Sequence, residues 1–162
     1  MFALIIYFIR HAKAIDKNSS GFKKSNDLDR PLTKQGIKEF TKLLKTVKNQ
    51  INDPKVIYYS PALRTASTAE IITDYFKIKT TKLERLLPES STIDFLKWFK
   101  DSDFDENIIF VGHEPNLSSI ISKMLNASPE SIKMKKGAIA AVEIKNDHLK
   151  QLLWLIGPDF SH

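Results

Sequence analysis

The segment Phe2-Ala3-Leu4-Ile5-Ile6-Tyr7-Phe8-Ile9 constrains this chain more than any other. Eight consecutive apolar residues, rich in β-branched and aromatic types, read as a strand buried on both faces, inside a sheet that helices cover. The run stops at Arg10-His11. A guanidinium and an imidazole at the end of a buried strand are costly to desolvate unless an anion meets them. In open α/β sheets, ligands bind in the crevice beyond the carboxyl ends of the strands. The pair therefore points to a phosphate or carboxylate site at the mouth of a sheet, although a solvated strand end accounts for an isolated Arg-His equally well.

A second histidine is placed the same way. Asn107-Ile108-Ile109-Phe110-Val111-Gly112 is another short apolar run, and it ends at Gly112-His113-Glu114-Pro115. Pro115 suits the first turn of a helix, where its missing N–H costs nothing. Leu117, Ile120, Ile121 and Met124 then recur on one helical face. A lone histidine at such a junction is more often structural. Two of them at two strand ends, in a chain with four histidines, favour function.

The stretch 55–64 repeats this grammar. Lys55-Val56-Ile57-Tyr58-Tyr59 reads as a strand and Ser60-Pro61-Ala62-Leu63-Arg64 as a helix start, with Ser60 as N-cap and Pro61 as first helical residue. Arg64 lies about one turn in. Pairing with a nearby carboxylate is the ordinary role for such an arginine. The chain, however, carries only four arginines, at positions 10, 30, 64 and 85, and uses lysine for the rest of its positive charge. The planar fork of arginine matches phosphate oxygens, whereas lysine is a point charge.

With these residues in view, the chain resembles the histidine phosphatase superfamily, which includes the cofactor-dependent phosphoglycerate mutases and is marked by an Arg-His-Gly (RHG) motif. Within it the chain is most similar to the small SixA branch of phosphohistidine phosphatases. The matching stretches are Phe8-Ile9-Arg10-His11-Ala12-Lys13-Ala14, Arg30-Pro31-Leu32-Thr33-Lys34-Gln35-Gly36 and Ser60-Pro61-Ala62-Leu63-Arg64-Thr65-Ala66. Leu87-Pro88-Glu89, Val111-Gly112-His113-Glu114-Pro115-Asn116-Leu117 and Gly137-Ala138-Ile139-Ala140-Ala141-Val142 follow in the family's order. Each motif alone is weak; the ordered set is strong. Ala12 stands where the name motif has glycine.

The resemblance implies a phosphoglycerate mutase-like three-layer α/β/α fold, with a mostly parallel central sheet and an antiparallel edge hairpin. The alternation of elements agrees. After the first strand comes a polar loop over 12–32 containing Ser19-Ser20-Gly21. A helix from Leu32 or Thr33 to Gln50 follows, with Ile37, Phe40, Leu43, Leu44 and Val47 on one face. Further expected elements are a strand at 55–59, a helix to Phe76, a strand at 78–83 and a helix at 92–100. The strand ending at Gly112, the Pro115 helix, and strands at 138–145 and 149–156 around an Asn146-Asp147 turn complete the reading. A length of 162 residues suits one domain spanning 1–162.

Composition narrows the chemistry. With no cysteine there is no thiolate nucleophile, disulfide framework or Cys-based zinc site. No HExxH pair occurs, so no metal and no cofactor are expected. The apolar start has no basic residue ahead of it and Arg10, His11 and Lys13 directly behind it, unlike a secretory signal, and it is too short to span a bilayer. A cytoplasmic protein with no membrane partner is expected. The net charge of +6 is carried by scattered lysines without an aromatic-interleaved or recognition-helix pattern, so no nucleic-acid partner is expected. The charge would steer phosphorylated or acidic partners.

Phosphoryl transfer spreads charge over three equatorial oxygens. Arg10 and Arg64 can neutralise that charge and His113 can add a donor. A histidine nucleophile works when neutral, with the hydrogen of its non-attacking nitrogen held by a carbonyl or carboxylate. The resemblance assigns that role to His11, through a covalent phosphohistidine that water hydrolyses, and puts Arg10, Arg64 and His113 around the phosphate. For the proton donor, Glu89 is the nearest match by position and Glu114 a second carboxylate. A phosphohistidine substrate relaxes that demand, because imidazole leaves more readily than an alkoxide. The expected activity is a metal-independent phosphatase acting on phosphohistidine of a partner protein, such as a histidine phosphotransfer domain. A broad phosphomonoesterase acting on small phosphate esters and a non-catalytic phosphoprotein-binding module are the alternatives.

Overall fold

The computed structural model describes residues 3–19, 26–146 and 148–161. Ser20 and Gly21 of the expected loop, Asp147 of the expected turn, and Phe2 of the first apolar run lie outside the described residues. Six strands form one sheet: β1 (Leu4–Arg10), β2 (Val56–Tyr59), β3 (Lys79–Lys82), β4 (Ile108–Gly112), β5 (Ile139–Asn146) and β6 (Leu149–Ile156). Their order across the sheet is β3-β2-β4-β1-β5-β6. The pairs β3·β2, β2·β4 and β4·β1 are parallel, while β5 runs antiparallel to both β1 and β6. Four helices cover the faces: α1 (Lys34–Val47), α2 (Leu63–Phe76), α3 (Thr92–Asp101) and α4 (Asn116–Met124).

β1 shows why an unbroken apolar run was required. Its side chains alternate between two cores. Tyr7 and Ile9 join Phe40, Leu43 and Leu44 of α1 and Ala69 and Ile72 of α2. Ile6 and Phe8 join Phe95 of α3 and Leu117, Ile120 and Ile121 of α4. A residue on either face of this strand is therefore interior, and each full burial of an isoleucine or phenylalanine is worth about 1.5–3 kcal/mol. The second core is mainly aromatic. Phe110 of β4 stacks on Phe8 at 5.7 Å and Tyr58 at 5.6 Å and meets the edge of Phe95 at 5.1 Å.

This layering positions the site. The chain leaves β1 toward the α1 face and leaves the adjacent β4 toward the α4 face, so a crevice opens between their carboxyl ends, as expected where neighbouring parallel strands diverge. Arg10 pairs with Gly112 in register, and Tyr59 pairs with Val111. His11, His113 and Ser60 thus follow three adjacent strand ends at one edge. Among the described residues no helix is long and apolar enough to cross a membrane.

The segment after His11 is clamped by the Arg30-to-Gly36 stretch. Ala14 bridges Leu32, the Ile15 N–H donates to the Pro31 carbonyl at 2.9 Å, and the Thr33 N–H donates to the Lys13 carbonyl at 2.9 Å. Thr33 also caps α1, its hydroxyl accepting from the Gly36 N–H at 2.9 Å. α1 therefore begins at Lys34 and its regular part ends at Val47, followed by a 3-10 turn over 48–50. Gly36 takes the inward position and Ile37 is 42% exposed, unlike the face expected from spacing. The reason is contact: a Cβ on Gly36 would lie 2.3 Å from the Lys13 carbonyl oxygen, so only glycine lets helix and loop meet. Gly137, with φ of 77°, supports the same loop from the turn just ahead of β5, its N–H donating to the His11 carbonyl at 2.9 Å.

Two further helix starts differ from expectation. α2 begins at Leu63 with Ala62 as its cap and no side-chain bond there, so Ser60 is not its N-cap and Pro61 is not its first residue. α4 begins at Asn116 with Pro115 at the cap position. In its place Glu114 reaches forward and accepts hydrogen bonds from the Ser118 N–H, at 2.9 Å, and from the Ser118 hydroxyl.

The Gly36 contact is with backbone, which cannot swing away as a flexible side chain can. Gly36→Ala is expected to destabilise the protein by about 2 kcal/mol or more, the scale of overpacking. Urea unfolding read by circular dichroism measures it. A change within about 0.5 kcal/mol would show that the loop shifts without cost.

Candidate active site

A cavity of about 200 Å³ opens at the β1–β4 edge. Arg10, His11, Arg64 and His113 all line it, together with Ala14, Lys17, Asp27, Arg30, Pro88, Glu114 and Lys136. Six separated stretches of sequence thus converge. The two imidazoles lie with ring centroids 5.3 Å apart. Glu89 does not line this cavity; it lines a neighbouring depression with Leu83, Glu84, Arg85 and Asp94. A larger groove of about 550 Å³, lined by Leu4, Phe99, Phe104 and Met124, lies at the opposite edge of β1 and holds none of these residues.

His11 is almost fully buried, and its Nδ1 lies 2.7 Å from the Ala12 carbonyl oxygen. A carbonyl can only accept, so Nδ1 carries the hydrogen and Nε2 keeps its lone pair. The Ala12 peptide is itself fixed, its N–H donating to Thr68 Oγ1 at 3.1 Å while that hydroxyl donates to the Arg64 carbonyl at 2.7 Å. Burial pushes the His11 imidazole from 6.5 down to about 3; the Ala12 bond opposes this, and the Arg64, Arg10 and Arg30 charges reinforce it. His113 is likewise pushed to about 3, by burial first and then by Arg64, His11 and Arg10, with Asp27 opposing. Both rings are neutral near pH 7.

The guanidiniums are held by different means. Arg10 donates from one terminal nitrogen to the Met134 carbonyl at 2.8 Å. Arg64, 3% exposed, donates from its two terminal nitrogens to Asp27, to the carbonyl oxygen at 2.8 Å and to Oδ2 at 3.1 Å. Asp27 also pairs with Arg30 at 2.9 Å and Lys17 at 3.3 Å. Burial raises the Asp27 carboxyl, but Arg64, Lys17 and Arg30 outweigh it and hold the group below its usual range, ionised. The Nε atoms of Arg10 and Arg64 are buried without a hydrogen-bond partner among the described residues. An unpaired buried donor costs about 1–3 kcal/mol, more when charged, and the two guanidiniums line the cavity as donors suited to a small oxyanion. Among the described residues no group of three or more His, Asp or Glu is arranged to hold a metal ion.

Sequence reasoning did not single out Asp27, Ser60 or Thr68 for the site. Asp27 sits in a polar stretch where no spacing marks it. Thr68 was read as helix interior, and the side chain of Ser60 as a cap rather than a partner of His113. Arg30 lines the cavity too, and its rarity as an arginine within a matching motif is the sequence signal for it.

Residues 6–89 match the histidine phosphatase superfamily (branch 1), just over half of the 162 residues. The fold is similar to that of a protein assigned as the phosphohistidine phosphatase SixA from Agrobacterium tumefaciens. Identity is 19% and the TM-score 0.79, over 98% of this chain and 100% of that one. It is also similar to the protein histidine phosphatase SixA complexed with tungstate, at 20% identity and a TM-score of 0.80, over 96% and 98% of the two chains. A protein assigned as the α-ribazole-5′-P phosphatase of Escherichia coli is similar at 17% identity and a TM-score of 0.75, over 97% and 98%. None of the curated protein sequences matches the chain.

Two neutral buried histidines give a pH dependence with a definite sign. Each resists protonation in the folded state down to about 3, while the unfolded chain takes up protons below about 6.5. Their stabilising effect is therefore complete above about 6.5 and lost as pH falls from there toward 3. Each is expected to contribute a slope of up to about 1.4 kcal/mol per pH unit in that window. Urea midpoints at pH 7, 6 and 5 measure it, and His113→Gln should flatten the dependence. An identical slope in that variant would mean that the ring titrates normally.

Proposed function

Because this chain belongs to the histidine phosphatase superfamily, we propose that it is a phosphatase in which His11 is the nucleophile and Arg10, Arg64 and His113 hold the phosphoryl group. The observation that carries this reading is the state of His11: neutral, with its Nδ1–H committed to the Ala12 carbonyl and its Nε2 lone pair available. Nε2 forms a bond to phosphorus as the bond to the leaving group breaks. The Arg10 and Arg64 guanidiniums neutralise charge on the equatorial oxygens. Water then attacks phosphorus, the P–Nε2 bond breaks, and inorganic phosphate departs. No step needs a metal ion or a cofactor, and residues 1–162 act as one domain.

The leaving group decides the substrate class. An alkoxide needs a proton from a carboxylic acid, and neither carboxylate lining the cavity is free to give one. Asp27 is held ionised by Arg64, Lys17 and Arg30, and Glu114 accepts from Ser118. Glu89 lines the neighbouring depression instead. A phosphohistidine needs less help, since its imidazole leaves as a neutral ring once the other nitrogen is protonated by solvent. We therefore favour phosphohistidine on a partner protein, such as a histidine phosphotransfer domain, over a small phosphate ester. Lys17, Arg30 and Lys136 line the cavity with the catalytic groups and favour an anionic partner surface. The likeness to a SixA bound to tungstate, a tetrahedral oxyanion, supports the phosphate reading.

Hydrolysis of free phosphohistidine, phosphoserine and an aryl phosphate, each with and without chelator, tests this. Phosphohistidine is expected to be turned over fastest, and chelator to have no effect. His11→Ala should abolish turnover, by about a thousandfold or more, along with the acid-labile, base-stable phosphoprotein formed with a labelled donor. Arg64→Lys should cost roughly a hundredfold. Glu89→Gln should leave both ester and phosphohistidine rates within about twofold of wild type. A selective loss on esters in that variant would restore Glu89 as the acid. Phosphate binding without turnover would mark a non-catalytic binding module.

A further inference from the structure

Ser60 stands at the end of β2 with its backbone committed on both sides. Its N–H donates to the Val111 carbonyl at 3.0 Å, and its carbonyl accepts from the Ala62 N–H at 2.8 Å and the Thr65 hydroxyl at 2.6 Å. The residue has no solvent exposure. Among the described residues its Oγ meets one hydrogen-bonding partner, Nε2 of His113 at 2.8 Å. A buried hydroxyl has one hydrogen to give, and leaving it ungiven is costly away from water. Nε2 is the acceptor within reach. Were Nε2 to carry the hydrogen instead, Oγ would accept it and the hydroxyl's own hydrogen would be left without a partner.

We propose that Ser60 is a positioning residue that donates its hydroxyl hydrogen to His113 Nε2 and so fixes His113 as the Nδ1–H tautomer, presenting a donor rather than a lone pair to the phosphoryl oxygens. The two tautomers of a neutral imidazole are close in energy, so the hydrogen bond at one nitrogen decides the other. This mirrors the arrangement at His11, where a carbonyl puts the hydrogen on Nδ1 and leaves Nε2 to attack. The two histidines of the cavity are thereby given opposite tasks, one a nucleophile and one a donor, by two different acceptor–donor partners. The catalytic consequence rests on the phosphatase reading; the tautomer does not.

The test uses full-length protein with ¹⁵N-labelled histidine at pH 7, the His113 signals being assigned by their loss in His113→Gln. The wild type is expected to show a protonated Nδ1 and an unprotonated Nε2. In Ser60→Ala that pattern should give way to the other tautomer or a mixture, and Ser60→Thr, which keeps the hydroxyl, should restore it. In the kinetic arm, Ser60→Ala should lower kcat for the best substrate by roughly tenfold to a hundredfold, with a smaller change in KM. A protonated Nε2 in the wild type, or an unchanged tautomer in Ser60→Ala, overturns the proposal. The absence of any phosphatase activity alongside the expected tautomer overturns the functional reading alone.

Discussion

Desolvation of cationic and proton-accepting side chains at one strand edge is the constraint around which this protein is arranged. Arg10, Arg64, His11 and His113 line a cavity of about 200 Å³ with Arg30, Lys17 and Lys136, against two carboxylates, Asp27 and Glu114. Burial first, and the neighbouring guanidinium charges after it, keep both imidazoles neutral. The guanidiniums cannot lose their charge, so the protein surrounds them with a carbonyl from Met134 and both oxygens that Asp27 offers. The Nε donors of Arg10 and Arg64 stay buried without a partner among the described residues.

The fold supplies the rigidity that this requires. Arg10 and Gly112 are paired residues of neighbouring parallel strands, which sets the separation of the two histidines that follow them. The segment leaving His11 is pinned from three directions: Thr68 on α2 at Ala12, Gly137 at the His11 carbonyl, and the 31–33 strand-like stretch at Lys13 and Ile15. Each of those contacts engages a backbone atom of the segment, so the His11 ring inherits its position from the fold around it. The motif running from Arg30 to Gly36 thereby has a physical meaning. Its arginine pairs with Asp27 in the cavity, its threonine caps α1, and its glycine lets that helix lie against the chain beside His11.

The legible part of the site was the part encoded by local sequence. Residues 10, 11, 64 and 113 each follow or open an element whose apolar run or helix signal announces it, and the structure brings all four to one cavity. Glu89 was placed by motif order alone, and order says nothing about which way the 3-10 turn at Glu84–Leu86 carries the next residues. Ser60 was misread because Ser-Pro at a strand-to-helix junction has the residue types of a cap. The helix starts three residues later, and the hydroxyl is drawn instead to an imidazole just past the end of β4, distant in sequence. Asp27 carried no pattern, since its partners Arg64 and Lys17 lie on other segments.

By itself the sequence determined the alternation of elements, the two-sided burial of β1 and β4, and the arrival of Arg10, His11 and His113 at strand ends, because periodicity and chain chemistry act over a few residues. Tertiary structure alone decided the protonation state of the histidines, the commitment of Asp27 to Arg64, the pairing of Ser60 with His113 and the exclusion of Glu89 from the cavity. Those outcomes depend on which groups lose water together. That is a property of surfaces meeting in space, and no local stretch of the chain carries it.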